Sequence, residues 1–171
     1  MKRKLGTLIF ALLIIVQISF AQNNQRKDNP ILKEISGLEV IKSVFSDATS
    51  VEKESDVWFK ILDKNGKKIG YTLSSKPFSQ DIIGYHNTTP IIVVMDNNKV
   101  IKKVALLSHY ESTGYVNRLN RQGFFDNWNG LKPEKVLEKK ANLDSYTGAT
   151  ITAKAVEKNL EIIIKKALNK K

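Results

Sequence analysis

Two stretches of this chain read as β-hairpins, and they restrict it to folds built on an antiparallel sheet. Residues 57–62 alternate and are rich in apolar side chains; Asp63-Lys64-Asn65-Gly66-Lys67-Lys68 supplies the turn, and residues 69–74 form the return strand. Residues 91–95 are an apolar, largely β-branched run. Asp96-Asn97-Asn98-Lys99 then turns the chain, and residues 100–108 come back beside it. Asn97 and Asn98 are the residues expected to adopt positive φ in that turn. At the C-terminal end, residues 151–168 place Ala155, Val156, Leu160, Ile163, Ile164 and Ala167 on one helical face. The expected class is α+β: an antiparallel sheet of hairpins with flanking helices, the C-terminal amphipathic helix packed on the sheet.

Upstream of the hairpins, Ile31, Ile35, Leu38, Val40, Ile41 and Val44 recur at roughly helical spacing, interrupted by Gly37, which predicts one or two short helices. Residues 47–56 are polar. Phe124, Phe125 and Trp128 cluster in a loop or short helix, and residues 131–140 are short and charged. Neither internal repeats nor low-complexity blocks are present.

The N-terminus reads as a targeting segment. Lys2, Arg3 and Lys4 precede an almost unbroken apolar run from Leu5 to Phe20, and Ser19-Phe20-Ala21 offers small residues before a cut. The expectation is a signal peptide over 1–21, a flexible polar leader over 22–30 closed by Pro30, and a single domain over 31–171. The rival reading is an uncleaved membrane anchor, for which the run is a little short and contains Gln17 and Ser19. Cleavage would remove three positive charges and no negative ones, lowering the formal charge from +11 to +8. The basic residues are spread along the chain. The densest pairs, Lys165-Lys166 and Lys170-Lys171, lie at a helix end where cations are favoured anyway, so a nucleic-acid partner is not expected. An anionic membrane surface or an acidic redox partner suits the charge better. With no cysteine, the chain has no disulfides, thiol catalysis or thiolate metal sites. It also shows no Ser-His-Asp set, and no carboxylate pair in a recognisable hydrolytic context.

The chemically most pointed stretch is Asp144-Ser145-Tyr146-Thr147-Gly148-Ala149-Thr150-Ile151-Thr152, which runs straight into the last helix. Several hydroxyls and small residues sit where the unpaired N–H groups and positive dipole end of a helix favour an anion. Gly148 and Ala149 let a bulky group approach the backbone. Taken alone, the same residues suit an ordinary helix cap better than an anion site. His86 and His109 are isolated from other ligand types and make a poor metal pair.

The order of these signals resembles the FMN-binding domain family. The resemblance runs from about residue 40 to 168. It is carried by Gly70-Tyr71, by Gly84-Tyr85, by the strand pair 91–96 and 100–108, by His109-Tyr110-Glu111-Ser112, by the aromatic segment 124–130, and above all by the motif 144–152. That family includes the flavin subunits of the sodium-pumping NADH:quinone reductase and of the Rnf complex. Residues 44–48, Ile83-Gly84-Tyr85 with Thr89-Pro90-Ile91, and Ser108-His109-Tyr110-Glu111 look most similar to the exported flavin domain of NosR-type regulators.

The resemblance implies FMN held covalently, through a phosphoester to the hydroxyl of Thr150, the last threonine of an Asp-x-x-Ser/Thr-Gly-Ala-Thr motif. Asp144, Thr147, Gly148 and Ala149 complete that motif, and Ile151 and Thr152 follow it. It implies a flavin transferase as a partner, acting outside the cytoplasm, and redox proteins or a membrane electron-transfer complex as the others. It also implies that Glu111, Ser112 and Thr113 line the flavin; here the segment reads Glu111-Ser112-Thr113-Gly114 where many members have Glu-Thr-Pro-Gly. The implied function is electron transfer at the outer face of the membrane rather than stand-alone catalysis. A reversible FMN-binding or sensory module is the alternative, and an exported structural domain without cofactor a more distant one. As purely structural residues, Asp144 would cap a turn, Thr147 would support it, and Thr152 would cap or bond to backbone. His109 would be a strand-end residue near the pocket. Phe124, Phe125 and Trp128 would be core more readily than a cover for the flavin ring, and Gly84-Tyr85 would mark either a bend near the cofactor or a plain turn.

Overall fold

The computed structural model describes residues 32–139, 141, 143–146 and 148–169. The expected signal peptide and leader, and Thr147, lie outside the described residues, as does the side chain of Asp144.

Five strands follow one another in space as in sequence, each antiparallel to its neighbours: β1 (Ala48–Lys53), β2 (Trp58–Asp63), β3 (Lys68–Ser74), β4 (Ile91–Met95) and β5 (Ile101–Leu106). Among the described residues four α-helices accompany them: α1 (Gly37–Lys42), α2 (Thr113–Arg121), α3 (Pro133–Val136) and α4 (Thr150–Leu168). Both expected hairpins are present, as β2–β3 and β4–β5. The helix over 37–42 begins at Gly37 rather than being broken by it.

β1 departs from the sequence expectation. Only Ala48 of its six residues is buried, so no apolar alternation marks the segment. It is held by pairing with β2, from Ala48 opposite Asp63 to Lys53 opposite Phe59. An edge strand dressed with Glu52 and Lys53 is also protected from pairing with other chains.

The β4–β5 turn differs in detail. Positive φ falls on Lys99, at +60°, and not on either asparagine. Asp96 explains the choice: its Oδ1 accepts the N–H groups of Asn98 at 2.9 Å and Val100 at 3.0 Å, which fixes the turn around it. The Lys99 ammonium lies 4.1 Å from the centroid of the Trp58 ring, a cation–π contact that offsets the backbone strain. Partial burial works against ionisation of Asp96. The hydrogen bonds from Val100, Lys102 and Asn98, with the charge of Lys102, outweigh it and hold the carboxyl below its usual range.

All five residues of β4 are buried, because both faces of the sheet are covered there. On one face Ile91, Val93 and Met95 join Leu73, Val104 and Leu106 against Val156, Leu160, Ile163 and Ile164 of α4. Phe124, Phe125 and Trp128 complete this core in a short 3-10 turn, so the aromatic cluster is structural. On the other face Ile92 and Val94 meet Ile61, Leu107, and Val40 and Ile41 of α1. The far end of α4 is tied down by Trp58, whose Nε1 donates to the Ala167 carbonyl at 3.2 Å. The near end of α4 carries the motif.

Candidate functional site

A 3-10 turn, Leu143–Ser145, brings the chain to α4. The N–H of Tyr146 donates to the Leu143 carbonyl and that of Ala149 to the Tyr146 carbonyl. The Tyr146 ring anchors this turn in the core: it is buried, stands edge-on to Phe124 at 4.9 Å, and its hydroxyl accepts from Asn127 Nδ2 at 2.9 Å. The backbone at 148 favours glycine. Its φ is +81°, and a Cβ there would come within 2.7 Å of the Arg118 guanidinium. A positive charge from α2 therefore lies directly on the motif glycine.

Thr150 is the first residue of α4. Its side chain is half-buried, and its hydroxyl donates to the Tyr146 carbonyl at 3.3 Å. The residue before the helix is Ala149, which provides no side-chain cap, and no acidic residue occupies the first turn. The first N–H groups of a helix have no acceptor within it, so this end presents donors and a positive dipole beside Arg118. Of the described motif threonines, Thr150 donates its hydroxyl back to the Tyr146 carbonyl and does not cap the helix.

Thr152 faces inward and donates its hydroxyl to Oε2 of Glu111. Glu111 is 2% exposed. Its carboxylate also accepts the N–H of Tyr85, at 2.9 and 3.1 Å, and the N–H of His86 at 3.2 Å. Gly84 makes room for this arrangement, since a Cβ would lie 2.5 Å from Glu111 Oε1 and from Thr89 Cγ2. One buried carboxylate thus joins three segments: the 84–86 bend, the segment after β5, and the entrance to α4. Ser112 is buried and pairs with His86 Nε2 at 3.2 Å, while Thr113 is an exposed first residue of α2.

His109 is more deeply placed than a strand-end residue would be. It is 1% exposed, its Nδ1 accepts the N–H of Glu111 at 3.1 Å, and its Nε2 has no partner among the described residues. Burial lowers its pKa, with Glu111 acting against that shift and Lys33 adding to it.

Tyr85, Tyr115, Gly148, Ala149, Thr150, Ile151 and Thr152 line one cleft of about 280 Å³. Motif residues Gly148 to Thr152 are therefore gathered at a single opening. Glu111, Ser112 and Thr113 do not line it; Glu111 reaches it only through its bond with Thr152. Of the two alternatives for Gly84-Tyr85, a bend beside this opening is the one seen, whereas Tyr115 is not singled out by sequence reasoning.

Residues 84–165 match the family model of the FMN-binding domain. The match spans just under half of the chain. It contains every residue of the cleft and the whole buried cluster around Glu111, whereas β1 to β3 precede it. Over 110 residues the chain is 31% identical to a component of the ion-translocating oxidoreductase complex of Vibrio parahaemolyticus serotype O3:K6 (strain RIMD 2210633), a match covering 57% of this chain and 49% of that protein. The chain spans about half the length of the curated relative it matches. The residues present in the FMN-binding domain fit the group its family name specifies. Gly148 leaves a space that a side chain would fill, Thr150 lines the cleft at the start of a helix, and the Arg118 guanidinium lies against Gly148; helix N–H groups and guanidinium are the kinds of donor that suit a phosphate.

Proposed function

We propose that this protein is an exported electron-transfer flavoprotein that carries FMN as a phosphoester on Thr150. The observation that carries the reading is the placement of Thr150: first residue of α4, in the wall of the cleft, two residues beyond the glycine on which Arg118 lies. Attachment makes a bond from Thr150 Oγ1 to the FMN phosphorus of FAD and breaks the bond from that phosphorus to AMP. The hydroxyl proton passes to a base of the flavin transferase, and AMP leaves. The first-turn N–H groups of α4, with Arg118 beside Gly148, would hold the phosphodiester. Bound FMN supplies one- and two-electron chemistry; the chain supplies its position.

Redox proteins, or a membrane electron-transfer complex, are the partners in this reading. Support comes from the relative in Vibrio, whose name makes it part of an ion-translocating oxidoreductase complex. The charged and apolar N-terminal residues support export, with the mature chain beginning at Gln22. N-terminal sequencing of exported protein is expected to read Gln22 first; Met1 would mean a retained anchor.

Co-expression with a competent flavin transferase tests the attachment. The protein is expected to fluoresce in a denaturing gel, Thr150→Ala to lose the signal, and Thr152→Ala and Thr147→Ser to keep it. Flavin that is coloured in the native protein but lost on denaturation would indicate the reversible-binding alternative.

A further inference from the structure

Tyr85 and Ile151 are large apolar residues left open to solvent, 47% and 52% exposed, and both line the cleft that holds Thr150. Neither is loosely placed. The Tyr85 backbone N–H is bound to the buried Glu111 carboxylate, and its ring stands edge-to-face with Tyr115 at 5.0 Å and with His86 at 4.7 Å. Ile151 is fixed in the first turn of a 19-residue helix whose opposite face is core. Two apolar side chains open to water leave their burial energy unused, and a flat apolar ligand would recover it.

We infer that the slot between Tyr85 and Ile151, backed by Tyr115, receives the isoalloxazine ring, with Tyr85 in van der Waals contact with it. This rests on the phosphoester reading for Thr150 and adds to it the seat of the ring. The chemistry matches at both ends. The phosphate needs the helix donors and the guanidinium, which lie at Gly148 and Thr150. A planar heteroaromatic ring needs an aromatic or aliphatic wall, and these walls occur in the same opening, within reach of a short flexible chain from Thr150. Glu111 is then a positioning residue. Its carboxylate holds the Tyr85 side of the slot through backbone N–H groups and the Ile151 side through Thr152.

The test uses the flavinylated protein, with loading measured by intact mass. A tyrosine in contact with a flavin quenches its fluorescence, and an asymmetric seat gives the flavin a circular-dichroism band in the visible. Wild type is expected to emit weakly when native and several-fold more strongly after unfolding in guanidinium, with visible dichroism lost in step. Tyr85→Leu, equally loaded and with native far-ultraviolet dichroism, is expected to emit when native nearly as strongly as when unfolded. Tyr85→Trp is expected to restore quenching, and Ile151→Ser to weaken the visible band. A loaded, folded Tyr85→Leu with the wild-type emission ratio and visible band overturns the ring seat and leaves attachment at Thr150 standing. Wild type without flavin mass at Thr150 overturns both.

Discussion

At the scale of single residues, the least expected feature is the pairing of Thr152 with Glu111. The two lie 41 positions apart, and nothing local in the sequence links them. The motif could be read from the chain because its residues are consecutive. The buried carboxylate that holds it could not, since Glu111 reads there as a polar loop residue facing the cofactor. Thr152→Val keeps the shape of the side chain and removes the donor. It is expected to cost about 1–3 kcal/mol, because a buried acceptor then loses a partner, with Thr152→Ser recovering most of the loss. Urea unfolding of the three proteins measures this; equal midpoints for wild type and Thr152→Val would show that the bond contributes nothing.

At the scale of elements, α4 and the two hairpins were legible because burial writes a period into them. Along α4 the buried residues include Val156, Leu160, Ile163 and Ile164, and the stripe fits a helix on a sheet. β1 left no such mark, since its pairing is made by backbone groups that any sequence carries. α2 was equally silent: it buries only Val116 and Leu119. Leu160→Ala should destabilise the domain by about 2–5 kcal/mol, since Leu160 is 2% exposed in the main core. A thermal melt unchanged by that substitution would contradict the packing. The β4–β5 turn gives a pH-dependent counterpart. The folded pKa of Asp96 lies below its unfolded value of about 3.9, so its contribution is complete above that pH and is lost as pH falls through the folded value. Asp96→Asn is therefore expected to flatten the decline in unfolding midpoint below about pH 4 while lowering stability at neutral pH. A parallel pair of pH profiles would remove Asp96 from the account.

At the scale of the whole molecule, the sheet separates two tasks. One face rests on α1. The other carries α4, and the start of α4 meets the 84–86 bend and α2 at a single cleft. The family match, residues 84–165, covers the part that forms the cleft, and β1 to β3 extend the sheet beyond it. The flavin transferase as partner, the attachment and the seat of the ring all depend on whether Thr150 bears FMN. The most direct measurement is intact mass followed by peptide mapping of protein co-expressed with a flavin transferase. A single added FMN phosphoryl group, located on Thr150 and missing from Thr150→Ala, is the predicted result. An unmodified Thr150 in protein made with a competent transferase, or the same group found on Thr152, would contradict it.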